Sequence, residues 1–238
     1  MNILITGGSS GIGRQLAVDY AKAGHHVVVC ARSEDALHAL EQEYPGKIEG
    51  CRLDITDRED TLQKLGVYTD IDIAILNAGV CEYLDVEKFE AAMFERVFNV
   101  NVVGTMNCVQ ALLANFKAGS KLVLVGSTAR LLPFTRAQAY GGSKAALHYI
   151  ARSLQLDLKK RHIKVLTVSP GFVETPMTDA NDFEMPMKVT VDYASNAIRK
   201  GIEKNTTDIT FPTGFGLFLK FLSLLPQSWQ VAISSKLA

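Results

Sequence analysis

Apolar residues fall along this chain in two alternating rhythms. Short runs rich in β-branched residues are each followed by a longer stretch whose apolar positions recur at helical spacing. The runs predict strands at 3–6, 26–30, 48–53, 71–76, 121–125 and 164–168, with a shorter one at 208–211. The stretches between them predict helices over about 14–23, 34–44, 57–65, 89–116, 138–160 and 191–204. Local punctuation agrees. Gly24 ends the first helix, Ser33 caps the second ahead of Glu34 and Asp35, and Pro45-Gly46 stops it. Strands that are apolar throughout and alternate with helices predict a parallel sheet covered on both faces. The expected fold is α/β, a doubly wound seven-stranded parallel sheet in a single domain over 1–238.

Two segments stand outside this alternation. A loop rich in proline and methionine runs from Pro170 to about Lys188. The tail, 214–238, is apolar on nearly every face as far as its break at Pro226, whereas a surface helix should carry one polar face. The tail packs in a subunit interface or over a substrate pocket, docks on a membrane surface, or completes the core. Lys220 and Lys236 are too few cations for a strong electrostatic anchor.

Charge narrows the classes. Twenty-five basic residues balance twenty-five acidic ones, so the basic excess of a nucleic-acid binder is missing. The chain runs straight into an apolar strand without a signal peptide, and no apolar run reaches membrane-spanning length. The expectation is a cytoplasmic protein. Cys30, Cys51, Cys81 and Cys108 are scattered, and the five histidines do not sit at metal-ligand spacing. No metal site is expected.

The chemistry begins where the first strand ends, at Thr6-Gly7-Gly8-Ser9-Ser10-Gly11-Ile12-Gly13. Gly7 permits a tight turn, Gly11 a close backbone approach to a pyrophosphate, and Gly13 close packing of helix on strand. The helix that follows offers free N–H groups to the phosphates. At the tip of the second strand, where an acidic residue would hold the ribose hydroxyls of NAD, the sequence reads Cys30-Ala31-Arg32-Ser33. Arg32 matches a 2′-phosphate in geometry and charge, and Ser33 can add a hydrogen bond. This predicts NADP(H) in preference to NAD(H). Further on, Tyr140 and Lys144 lie one helical turn apart on a common face. An ammonium beside a phenol lowers its pKa toward neutrality and fits it for proton transfer. Ser127 ends the fifth strand, on the edge where doubly wound sheets place their ligands.

Taken together, these motifs resemble those of the short-chain dehydrogenase/reductase family, over most of the chain from Thr6 to about Thr175. The resemblance implies a Rossmann-type fold and a catalytic tetrad of Asn101, Ser127, Tyr140 and Lys144. It implies that Asp54-Ile55 touch adenine and that Asn77-Ala78-Gly79 support the cofactor side of the site. It also implies that the Asn101 backbone holds a relay water, and that Pro170-Gly171-Phe172-Val173-Glu174-Thr175 contacts the nicotinamide carboxamide, through Pro170, Gly171, Val173 and Thr175. Lys144 would also bind the nicotinamide ribose. The implied reaction is hydride transfer between nicotinamide and a carbonyl carbon, with Tyr140 moving the proton. The family pairs its two long central helices with those of a partner, so a homodimer or homotetramer is expected.

Substrate choice should lie in segments beside the tetrad: Leu131, Leu132, Pro133 and Phe134; Phe172, Met177, Phe183, Met185 and Met187; Val80 and Tyr83. Leu131, Phe134, Phe172 and Met177 are the foremost pocket candidates. Their apolar character favours a small-molecule substrate, a hydrophobic ketone or aldehyde and its alcohol, over a sugar or charged acid. Two alternatives are an NAD-preferring alcohol dehydrogenase of the same family and a non-catalytic regulator that senses NADP(H). A sugar epimerase with the same Tyr and Lys pair is disfavoured by the lack of a separate C-terminal substrate domain.

Overall fold

The computed structural model describes residues 1–179 and 181–235. Seven strands form one parallel sheet: β1 (Asn2–Thr6), β2 (His26–Ala31), β3 (Ile48–Arg52), β4 (Ile73–Leu76), β5 (Lys121–Val125), β6 (Lys164–Pro170) and β7 (Asp208–Phe211). Their spatial order is β3-β2-β1-β4-β5-β6-β7. The chain winds outward from β1 in one direction, returns to β4, and winds outward in the other. The strand order therefore reverses between β1 and β4, which makes their carboxyl ends the place for a ligand.

The apolar strands are buried because helices cover both faces. On one face α1 (Gly11–Lys22), α2 (Glu34–Glu43) and later α8 (Val191–Glu203) pack over Ile3, Ile5, Val27, Val29 and Leu166. On the other, α3 (Arg58–Leu65), α5 (Thr105–Leu113) and α6 (Gln138–Asp157) enclose Leu4, Val28, Leu76, Leu122 and Leu124, while α4 (Ala92–Phe98) packs its Met93 and Val97 on Leu84 and on Ala139 of α6. A one-turn helix, α7 (Pro176–Asp179), follows β6. Ser33 caps α2 by accepting from Ala36 N, and Asp57 caps α3 by accepting from Asp60 N.

Two expectations need correction. The helix expected over 89–116 is divided: a turn of 3₁₀ helix at Val86–Lys88 precedes α4, and a wide π turn, Asn99–Gly104, separates α4 from α5. β6 runs two residues beyond Val168, because Ser169 and Pro170 pair with Thr210 and Phe211 of β7. The tail is helical on both sides of its expected break at Pro226, as α9 (Thr213–Ser223) and α10 (Gln227–Ser234). Gly216, Leu219 and Leu222 of α9 are buried, while Leu217, Phe218, Phe221 and Leu224 are exposed. Lys236 lies outside the described residues. Among the described residues, no helix is long and apolar enough to cross a membrane.

Candidate active site

The glycine turn closes on itself before it can hold anything else. Gly7 has a φ of +64° and Gly11 one of +52°, the left-handed region that side chains resist. A Cβ at Gly13 would collide with the Gly7 carbonyl oxygen, so only glycine lets α1 start this close to the end of β1. Thr6 Oγ1 accepts from the main-chain N–H groups of Asn77 (3.1 Å) and Ala78 (3.2 Å). The Asn77 amide returns two bonds, to Thr6 O at 3.3 Å and Gly7 O at 3.0 Å. Thr6 and Asn77 thus lock the two strand ends at the reversal point. The Ser10 side chain makes no capping bond, and the first turn of α1 has no acidic residue. The N–H groups there remain free for an anion.

These residues border an open cleft of about 260 Å³, lined by Gly7, Ser9, Ser10, Gly11 and Ile12, by Arg32, Asp54 and Ile55, by Asn77, Ala78 and Gly79, and by Thr175 and Met177. Arg32 makes no ion pair among the described residues, and its charge helps to lower the Asp54 carboxyl. Ser33 spends its oxygen lone pair on the α2 cap and keeps an O–H to donate. Asp54 accepts from Thr56 N (2.9 Å) and Thr56 Oγ1 (2.7 Å), and the amide bond holds its carboxyl below the usual range. Ile55 is pinned from behind, its carbonyl accepting from Asn107 Nδ2 at 2.9 Å.

At the inner end of the cleft the four expected catalytic residues converge from three elements. Asn101, fully buried in the π turn, bonds both polar groups of Val80: its Oδ1 accepts from Val80 N (2.8 Å) and its Nδ2 donates to Val80 O (2.9 Å). The same Nδ2 reaches Ser143 Oγ (3.0 Å), which donates to Tyr140 O (2.7 Å). Sequence reasoning missed Ser143, although it lies inside the Tyr140–Lys144 motif. Thr105 Oγ1 donates to the Asn101 carbonyl at 3.0 Å. Ser127 Oγ accepts from Ala129 N (3.1 Å), and its hydroxyl sits near enough to the Tyr140 phenol to pull the phenol's pKa down. Lys144, almost fully buried, donates to Val125 O at 3.0 Å.

The electrostatics differ from the expectation. Burial pushes the Tyr140 phenol up to about 12, with Ser127 pulling it back and Cys81 adding to the rise. The Lys144 ammonium does not offset this. It is aimed at the Val125 carbonyl and lies 5.7 Å from the phenol ring centroid. Burial instead lowers Lys144 itself, to about 8.

The remaining candidates divide. Phe172 meets Phe183 (6.0 Å between ring centroids), and Phe183 meets Tyr83 edge-on (5.5 Å), which forms an aromatic wall from three segments. Leu131 and Phe134 pack with Leu132 against Leu219 and Leu222 of α9, so they reach the site as the inner surface of the tail. Met177 lines the cofactor cleft beside Thr175, apart from the aromatic wall. Val173 turns its side chain into the core, so only its backbone is available. Its carbonyl already accepts from Thr178 Oγ1 (2.6 Å). Gly171 N donates to Phe211 O, and the Pro170 carbonyl accepts from Thr128 Oγ1.

A doubly wound sheet with a glycine cradle at its reversal point, and a Ser, Tyr and Lys cluster beside it, defines a nucleotide-dependent oxidoreductase. The chain belongs to the short chain dehydrogenase family, whose model matches residues 1–185. It is 32% identical over 207 residues to a rhamnolipids biosynthesis 3-oxoacyl-[acyl-carrier-protein] reductase of Pseudomonas aeruginosa, covering 81% of this chain and 80% of that one. An uncharacterized oxidoreductase of Myxococcus xanthus is 29% identical over 232 residues, covering 94% and 92%. Among solved structures, a short-chain dehydrogenase from Sphingobium yanoikuyae in complex with NADPH superposes with a TM-score of 0.81 at 25% identity, covering 95% of this chain and 97% of that one.

Proposed function

We propose that this protein is an NADP(H)-dependent oxidoreductase that interconverts a carbonyl and an alcohol, reducing a hydrophobic ketone or aldehyde with Tyr140 as the proton donor. The observation that carries this reading is the convergence of buried Ser127 with a buried Lys144 that lies 5.7 Å from the Tyr140 ring centroid and reaches Gly79 of the cleft wall.

The site suits a dinucleotide because its N–H groups at α1 lack a side-chain cap and its left-handed glycines leave room for a close approach. Thr6, Gly7, Ser9, Ser10, Gly11, Ile12 and Gly13 would cradle the pyrophosphate. Asp54 and Ile55 would face the adenine, Asn77, Ala78 and Gly79 the ribose side, and Pro170, Gly171, Val173 and Thr175 the carboxamide. Arg32 and Ser33 would hold a 2′-phosphate. NADP over NAD is supported by the uncapped charge of Arg32 and by the NADPH carried by the Sphingobium relative. When bound, the nicotinamide supplies or accepts the hydride.

The chain's own residues do the rest. Ser127 donates a hydrogen bond to the carbonyl oxygen and polarises it. Tyr140, held protonated at neutral pH by its raised pKa, delivers a proton to that oxygen as it gains charge. Lys144 supplies a positive charge below the phenol as long as it is itself protonated, which its value near 8 makes sensitive to pH. Asn101 holds Val80 and α6 in register, and its main-chain carbonyl would hold a relay water. The wall of Tyr83, Phe172 and Phe183 suits an apolar substrate, and the acyl substrate class named for the Pseudomonas relative fits that character. Exposed Tyr149 and Leu156 on α6 and Val103 in the π turn suit assembly into a homodimer or homotetramer through the central helices. Four free thiols suit a reducing, cytoplasmic setting.

The test is binding of NADPH against NADH, followed by turnover of carbonyls graded in size and polarity. The expected result is tighter binding of NADPH and reduction of bulky apolar carbonyls. Tyr140→Phe should lower kcat by about 10²- to 10⁴-fold, the usual worth of a positioned acid. Binding of NADPH without turnover on any carbonyl would overturn the catalytic reading in favour of a cofactor-sensing protein.

A further inference from the structure

One carboxylate on the far side of the tetrad gathers more polar partners than any catalytic residue does. Asp208 starts β7 and is largely buried, its side chain 19% exposed. Arg130, whose side chain is only 9% exposed, pairs with its Oδ2 at 3.0 Å. Lys220 of α9 pairs with the same oxygen at 2.9 Å. Its Oδ1 accepts from Ser169 Oγ at 3.1 Å and Thr167 Oγ1 at 3.3 Å, both on β6. Arg130 Nε also donates to Ser169 Oγ at 3.2 Å, which closes a ring of bonds. His148 of α6 faces the cluster. Burial and the Arg130 charge keep its imidazole neutral, so it adds no charge to the balance.

The position of Arg130 gives this cluster its meaning. It ends the short turn Thr128–Arg130 that leaves Ser127, and Ser127 Oγ accepts from Ala129 N within that turn. Thr128 Oγ1 fastens the same turn to Pro170 O. The next residues, Leu131, Leu132 and Phe134, pack on Leu219 and Leu222 of α9. The segment from Ser127 to Tyr140 is therefore held at one end by the Asp208 ion cluster and along its length by the apolar face of α9. Both holds lead to the tail, beyond the residues that the family model matches.

We propose that Asp208 is a positioning residue for Ser127, and that α9, through Lys220 and its Leu219–Leu222 face, is a working part of the active site that sets the Ser127–Tyr140 segment. The physical case rests on burial. A largely buried carboxylate with two cations and two hydroxyls is costly to leave half-paired, so the cluster has one low-energy arrangement and transmits it to the turn it holds. A displacement of about 1 Å at a reacting group costs about 10²-fold in rate, so small slack at Arg130 would reach the chemistry.

This inference rests on Ser127 acting in the proposed reaction, so its test has a readout independent of turnover. Asp208→Asn, Arg130→Met and Lys220→Met would be compared by hydrogen exchange, by NADPH dissociation constant and by carbonyl reduction. The expected result is faster amide exchange across 126–134 with the turn at 6–13 unchanged. NADPH binding should stay within about twofold. The kcat should fall about 10- to 100-fold for Asp208→Asn and Arg130→Met, and less for Lys220→Met. If Asp208→Asn does not fold, Lys220→Met decides, since that side chain is partly exposed and its loss spares the Arg130 pair. Unchanged exchange and unchanged kcat in a folded variant would overturn the proposal. If the unaltered protein reduces no carbonyl, the functional reading falls, and exchange at 126–134 still decides whether Asp208 holds the turn.

Discussion

The two ends of the cleft are built on opposite principles. At the cofactor end, around 6–13 and 77–79, backbone meets backbone. Left-handed glycines, Thr6 Oγ1 and the Asn77 amide fix the turn, and almost no large side chain intervenes. At the catalytic end, around 127–144, position comes from side chains that bond far-off parts of the chain. Asn101 reaches Val80 and Ser143, Arg130 reaches Asp208, and Lys144 reaches Val125. The first end tolerates no added atoms, whereas the second tolerates no lost partners. In the proposed function, the cradle for a dinucleotide is made of shape, and the site that moves a proton is made of bonds.

The sharpest way to break this contrast is to add volume at the first end. Gly13→Val places methyl groups against the Gly7 carbonyl and the Asn77 amide. NADPH binding should be lost and thermal unfolding should come several degrees earlier, as monitored by calorimetry and a binding titration. Next in size, Arg32→Ala should weaken NADPH by about 10- to 100-fold, as expected for losing charge-assisted bonds to a phosphate, and leave NADH nearly untouched. An equal loss for both cofactors would assign Arg32 to the fold and not to the 2′-phosphate.

The smallest effect on stability concerns Lys144 and tests the second end. Its pKa falls from an ordinary 10.5 to about 8 on folding. Below pH 8 the lysine is charged in both states and the folded protein bears the cost of burying it. Between 8 and 10.5 the unfolded chain binds more protons, so stability from this group rises with pH. Lys144→Met should therefore raise the unfolding temperature at pH 7 by a few degrees, and the gain should shrink as pH rises toward 10. Activity should vanish at every pH. In the unaltered protein, kcat/KM for reduction should decline above pH 8, as the ammonium beneath Tyr140 is lost.

The cofactor end was legible because its constraints are local. A run of glycines between a strand and a helix admits few explanations, and Ser33 and Asp57 cap the helices that such residues usually cap. The strands were legible for a related reason, since burial on both faces leaves long apolar runs. What stayed hidden depends on distant partners. Asp208 is one acid in a short strand, and no spacing rule joins it to Arg130, seventy-eight residues away. The rise in the Tyr140 pKa follows from burial, which a Tyr and Lys pair one turn apart does not reveal. The division of the 89–116 helix escaped because each half keeps a helical periodicity of its own, and the change of phase between the halves shows only once both are placed against the rest of the fold.

That shift of phase has a consequence for how the protein can change over time. The π turn at Asn99–Gly104 works like a phase setting between α4 and α5. A regular helix advances about 100° per residue, so deleting one residue here would restore ordinary winding and rotate one helix against the other by that angle. Asn101 would lose Val80, and either α4 or α5 would turn its apolar stripe to water. Substitutions in the segment are open to gradual trial, but a change in its length is not. It sets a reading frame for the helices on either side.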